Sequence, residues 1–158
     1  MIEQVAKNIN ILGRFCGKRD VEALAASHLQ ERYGWRRAEV MVLFGGSIVS
    51  GGDVLAEAMK NGIAEKYVIV SGAGHTTDAL RQKVQEECPS IITEGLPEAE
   101  VFNRYLEVVY GLKADYLETQ STNCGNNITY LLDLLKQQGI AFRSIILCQD
   151  ATMQRRMD

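Results

Sequence analysis

The spacing of apolar side chains changes partway along this chain. Ile2, Val5, Ile9 and Leu12 recur at helical intervals, and Gly13 and Gly17 end the pattern, which predicts a helix over 2–15. A second helix is predicted over 20–33, with Asp20 as its N-cap, Val21, Leu24 and Leu29 as apolar positions and Gly34 as its stop. From Glu39 the signal becomes a short continuous apolar run, Glu39-Val-Met-Val-Leu-Phe44, which ends in Gly45-Gly46-Ser47. That is the pattern of a strand buried on both faces of a parallel sheet.

The alternation then repeats. A helical stretch from about Asp53 to Lys60 leads to a second buried strand, Lys66–Ser71, again closed by glycines at 72 and 74. Helical segments follow around 76–87 and 97–110, the latter opened by Pro97, whose missing N–H costs nothing in a first turn. Asp115–Glu118 is a weaker strand, 123–138 carries Ile128, Leu131, Leu132 and Leu135 on one helical face, and Ser144–Cys148 is a last strand. Strands alternating with helices predict an α/β fold, a mostly parallel sheet with helices on both faces, preceded by two N-terminal helices. The chain divides into a helical segment, 1–34, and an α/β core, 38–158, of one domain. Asp150–Arg156 reads as a loop and the first turn of a further helix, so the core is expected to be shortened at its C-terminal end.

Composition narrows the function classes. A formal net charge of −3 argues against a broad nucleic-acid footprint, which needs clustered Lys and Arg. Four cysteines without a Cys-x-x-Cys pair, together with two histidines, give a zinc site little to work with, and no metal is expected. Scattered cysteines fit a reducing compartment, and neither a secretory leader nor a membrane-spanning run is visible, so the expected location is cytoplasmic.

In open parallel sheets ligands bind beyond the carboxyl ends of the strands. Four loops fall there: Gly45-Gly46-Ser47, Ser71-Gly72-Ala73-Gly74-His75, Gln120–Asn127 and Gln149–Thr152. All are rich in small and hydrogen-bonding residues, which predicts a small-molecule pocket. Neither a complete G-x-G-x-x-G nor a Walker-type loop is present. The expected ligand-binding residues are Gly45, Gly46, Ser71, Gly72 and Gly74, where backbone is open to approach, with Ser121, Asn123, Asn127 and Asp150 as hydrogen-bonding groups. Arg155 is expected to meet a carboxylate or phosphate. Glu98, Glu118 and His75 are the candidate acid–base groups. Each has a plainer alternative: Glu98 favours a helix dipole, His75 caps a helix, and Asn123 is a good N-cap. Cys124, at a helix start, has no evident base partner.

Val68-Ile-Val-Ser-Gly-Ala-Gly-His75, Gln120-Ser-Thr-Asn-Cys-Gly-Asn-Asn127 and Gln149-Asp-Ala-Thr-Met-Gln-Arg-Arg156 resemble the YdcF/SanA/ElyC family, a bacterial family of unknown function. The resemblance runs from about Glu39 to the end of the chain. Family positions carried over are Gly45, Gly46, Ser71, Gly72, Glu98, Glu118, Ser121 and Asn123. Cys124 stands where many members have Thr, and Asn126 where they usually have Glu. The resemblance implies a Rossmann-like three-layer fold, a polar strand-end pocket and S-adenosylmethionine as a ligand, and it implies no established reaction.

Three functions follow as expectations. The first is binding of a nucleotide-like small molecule, with S-adenosylmethionine foremost. The second is an enzyme, a transferase or hydrolase acting on a cell-envelope or nucleotide-sugar precursor, although the second strand ends in Ser71-Gly72 rather than the acidic residue a usual methyltransferase carries. The third is a structural or regulatory interaction domain with a tendency to self-associate.

Overall fold

The computed structural model describes residues 1–157 and is an α/β protein built on a four-stranded, all-parallel sheet. The strands are β1 (Ala38–Phe44), β2 (Ala64–Val70), β3 (Tyr116–Glu118) and β4 (Ile145–Cys148), in the order β3-β2-β1-β4. The chain thus steps outward from β1 through β2 to β3, then crosses back to set β4 on the other side of β1. That reversal makes a topological switch point between β1 and β4, where α/β sheets open a crevice for ligands.

Strand parity sends alternate side chains of β1 and β2 to opposite faces, so each face acquires its own core. Met41, Leu43 and Ile69 point to one face, covered by α3 (Ser50–Lys60), α4 (Thr77–Glu87) and α5 (Glu98–Tyr105). Val40, Val42, Phe44, Val68 and Val70 point to the other, against Leu131 and Leu135 of α6 (Cys124–Gln137) and Met157 of α7 (Gln154–Met157). The result is the three-layer, Rossmann-like arrangement that the alternation of patterns predicts. Glu39, on β1, fixes the entry to β4: its Oε2 accepts hydrogen bonds from the backbone N–H groups of Arg143 and Ser144 and from the Ser144 hydroxyl.

Several boundaries differ from the sequence reading. The second N-terminal helix, α2, spans Ala26–Tyr33, not 20–33. Val21 and Leu24 pack partly buried against the α3–α5 core, and Asn61 donates to the Leu24 carbonyl at 2.7 Å, so residues 20–25 follow the surface of the fold instead of coiling. Asp20 pairs with Lys18 and is not an N-cap. Leu29 is part of the same core, which leaves α1 (Ile2–Cys16) as the only described helix of more than one turn without a buried residue.

Helix α3 begins at Ser50, earlier than its glycines suggest. Gly51 and Gly52 lie in its first turn because a Cβ at Gly52 would sit 2.8 Å from Tyr105 Cδ1, so their absence lets α3 pack closely on α5. The helix predicted over 97–110 is α5 followed by a π-helical turn, Leu106–Tyr110, with Pro97 as its N-cap. The hydroxyls of Tyr105 and Tyr110 both donate to Asp53 Oδ1 at 2.7 Å, tying this turn to α3. Among the described residues no helix is long and apolar enough to cross a membrane.

Candidate functional site

Gly45 follows β1 directly, and its neighbours explain why it is glycine. A Cβ there would collide with Ser71 Cβ and stand 2.6 Å from Glu98 Oε2. Glu98 opens α5 on the α3–α5 face and is only 3% exposed. Its Oε2 accepts the Ser71 hydroxyl at 2.8 Å, and its Oε1 accepts the hydroxyls of Thr76 and Thr77 at 3.0 and 2.9 Å. Backbone bonds from Glu98 N–H to the Gly72 carbonyl and from Ala99 N–H to the Ser71 carbonyl lock α5 onto the end of β2. Three hydroxyl donors hold the buried carboxylate, with no cation paired to it among the described residues.

Gly46 stands in the same relation to Asp150: a Cβ would lie 2.5 Å from Asp150 Oδ2. Burial pushes the Asp150 carboxyl up, and the nearby charge of Glu98 pushes it further, while the backbone N–H of Ser47 works in the opposite direction. Gln149 braces the loop, donating to the Gly45 carbonyl at 3.2 Å and accepting from the Asp150 N–H at 2.7 Å.

Glu118 ends β3 on the α6 face, since its register partner Val70 belongs to that core. Its Oε1 accepts the backbone N–H groups of Gln120 and Ser121 at 2.6 and 3.0 Å, shaping the turn that leads to α6. Oε2 is buried without a hydrogen-bond partner among the described residues. Ser121, fully buried, clamps Gly72, whose N–H is bonded by both its carbonyl and its hydroxyl. A Cβ at Gly72 would fall 2.5 Å from the Ser121 carbonyl oxygen. Asn123 is the N-cap of α6, accepting the Asn126 N–H at 3.0 Å. Asn127 lies one turn on, buried, with Oδ1 unpartnered among the described residues.

The structure therefore brings Gly45, Gly46, Ser71, Gly72, Glu98, Glu118, Ser121, Asn127 and Asp150 to the carboxyl ends of the strands, but several do different work from that predicted. The space opened by Gly45, Gly46 and Gly72 is filled by the protein's own atoms; only Gly74 keeps room, with Thr122 O at 3.5 Å the nearest atom. His75 is exposed, and its ring makes no hydrogen bond among the described residues. Arg155 turns away from the carboxylates: its guanidinium lies over the Phe15 ring at 4.3 Å and donates to the Phe15 carbonyl, anchoring α1. Thr76, Thr77 and Gln149 are the site residues that sequence reasoning passed over. The two threonines follow a strand-end His-containing loop and sit where a helix first turn presents hydroxyls, a signal available in the sequence.

Among the described residues, Glu98, Glu118 and Asp150 take part in no ion pair. No group of three or more His, Cys, Asp or Glu side chains among them is placed to hold a metal ion. A cleft of about 320 Å³ opens beside the loop after β1, lined by Ser47, Ile48, Val49, Ser50, Asp53, Lys83 and Glu87. A comparable one, between α4 and Thr93-Glu94, contains none of the predicted site residues. No family model matches this chain.

Proposed function

We propose that this chain binds a positively charged, nucleotide-like small molecule at the carboxyl edge of its sheet, with S-adenosylmethionine as the first candidate. The observation that carries this reading is a set of strand-end carboxylates, Glu98 and Asp150 against the Gly45–Gly46 backbone and Glu118 at the end of β3, none of which pairs with a cationic side chain among the described residues. A buried or half-buried carboxylate is costly unless something compensates its charge. A ligand with positive charge does so; a polyphosphate does the opposite. NAD, ATP and nucleotide-sugars are disfavoured on that ground, whereas S-adenosylmethionine carries both a sulfonium and an ammonium. The resemblance to the YdcF/SanA/ElyC family supports the same ligand.

Thermal unfolding against a panel of S-adenosylmethionine, S-adenosylhomocysteine, NAD, ATP and nucleotide-sugars tests the proposal. A ligand at a hundredfold excess over its Kd adds about 2.7 kcal/mol, a rise of about 5–10 °C for a chain of this size. The rise is expected with S-adenosylmethionine; its absence there, with a rise from ATP or NAD, overturns the reading.

One observation favours a second reading, a hydrolase or transferase acting on a cell-envelope or nucleotide-sugar precursor. Asp150 holds its proton to higher pH than an ordinary aspartate, through burial and the charge of Glu98, as a general acid requires. Turnover of such a precursor that is abolished by Asp150→Asn would select this reading over simple binding.

A further inference from the structure

Among the described residues, two buried side-chain oxygen atoms have no donor: Glu118 Oε2 and Asn127 Oδ1. Each belongs to a side chain more than nine-tenths buried, Glu118 at 7% and Asn127 at 6% exposure. They come from different elements that pack against each other, β3 and α6. Glu118 projects to the α6 face at the last position of β3. Asn127 heads the buried stripe Asn127, Leu131 and Leu135 of α6, one turn from the helix start, and α6 packs against β3. Buried acceptors are nearly always satisfied, so each orphan calls for a donor.

The chemistry of the pair restricts that donor. One oxygen is a carboxylate's and the other an amide's, and both only accept. The remaining Glu118 oxygen is already committed to the Gln120 and Ser121 N–H groups, so the carboxylate is fixed in place. No Lys, Arg or His pairs with it among the described residues. A hard metal cation wants about six oxygen ligands, and these side chains offer two. An ammonium supplies three N–H donors and one positive charge, which satisfies both oxygens and neutralises the carboxylate.

We propose that Glu118 Oε2 and Asn127 Oδ1 form a subsite for the ammonium group of a bound ligand. The proposal rests on the reading that a small molecule binds this edge of the sheet, and it names the group that enters the α6 side of it. Glu118 and Asn127 then act as binding residues, not as acid–base catalysts.

Calorimetric titration of the full chain, and of its Glu118→Gln and Asn127→Leu variants, separates this proposal from the choice of S-adenosylmethionine. The probes are S-adenosylmethionine, methylthioadenosine (the nucleoside without the ammonium) and putrescine (ammonium groups without a nucleoside). At least one ammonium-bearing probe should bind the wild-type chain and lose tenfold or more in affinity in both variants, with any methylthioadenosine binding unchanged. Binding of putrescine but not S-adenosylmethionine, lost in Glu118→Gln, upholds the subsite and rejects that cofactor. Binding of S-adenosylmethionine unaffected by either substitution keeps the cofactor and overturns the subsite. Failure of every ammonium-bearing probe to bind overturns it too, leaving the two oxygens to buried water. Glu118→Gln retains the Oε1 acceptor of the turn and removes a buried charge, so the unliganded variant should be at least as stable as the wild type.

Discussion

Glu98 and Asp150 approach the Gly45–Gly46 backbone from two sides, the first where a Gly45 Cβ would be and the second where a Gly46 Cβ would be. The two carboxylates come from α5 and from the loop after β4, the strand that pairs with β1 on the side opposite β2. Their mutual repulsion is opposed on the Glu98 side by three hydroxyl donors and on the Asp150 side by a single backbone N–H. The proton affinity of Asp150 is raised, by burial first and by the charge of Glu98 second.

The raised Asp150 carboxyl predicts a pH dependence of stability. A carboxyl with a raised pKa binds its proton in the folded chain at pH values where the unfolded chain has already lost it. Stability therefore falls as pH rises from the ordinary aspartate range through the elevated Asp150 value. Asp150→Asn should remove this slope and raise stability at neutral pH. Urea unfolding of both proteins across that window measures it; a wild-type stability that rises through the window, with no change in the variant, contradicts the assignment.

Removing the neighbour's charge gives an independent check. In Glu98→Gln the Asp150 carboxyl should titrate closer to its ordinary value, because the charge of Glu98 is one of the two causes holding it up. Burial, the larger cause, remains, so the return is partial. A carbon-detected NMR titration of Asp150 reads the change directly, and an unmoved titration would show that the two groups do not interact.

Gly72 is predicted to be intolerant of any side chain. Even Ala would press on the backbone of Thr119 and Ser121 at 2.6 and 2.5 Å, and backbone has little freedom to yield. Gly72→Ala should cost about 1–3 kcal/mol, seen as a lower urea midpoint at unchanged slope. Gly74→Ala, with its nearest neighbour at 3.5 Å, should cost much less. Equal effects at the two positions would contradict the packing described.

These glycines show how far the sequence could be read. The strand-end clustering of Gly45, Gly72 and their polar neighbours was visible because buried parallel strands announce themselves as apolar runs closed by small residues. What those glycines accommodate was not visible, since Glu98 and Asp150 reach them only through the folded crossovers. Residues 20–25 misled for a related reason: their apolar spacing suits a helix, but Val21 and Leu24 are held by contacts with the core. Arg155 was expected at the ligand, and nothing in its local sequence tells that Phe15, at the other end of the chain, comes to rest beneath it.

The apolar stripe of α1 gives a further prediction. Val5 and Ile9 are 52% and 61% exposed and belong to no core. Val5→Gln and Ile9→Gln should change unfolding stability by no more than about 0.5 kcal/mol, as at other exposed positions. Sedimentation of the double variant alongside the wild type shows whether the stripe mediates self-association. A loss of several kcal/mol in either single variant would contradict the exposed placement of α1.

The central claim is that the strand-end edge selects positive charge. Calorimetric titration of the whole chain with S-adenosylmethionine and with ATP, under identical conditions, tests it most directly. The carboxylates Glu98, Glu118 and Asp150 predict binding of S-adenosylmethionine and none of ATP; binding of ATP in preference to S-adenosylmethionine would contradict the account.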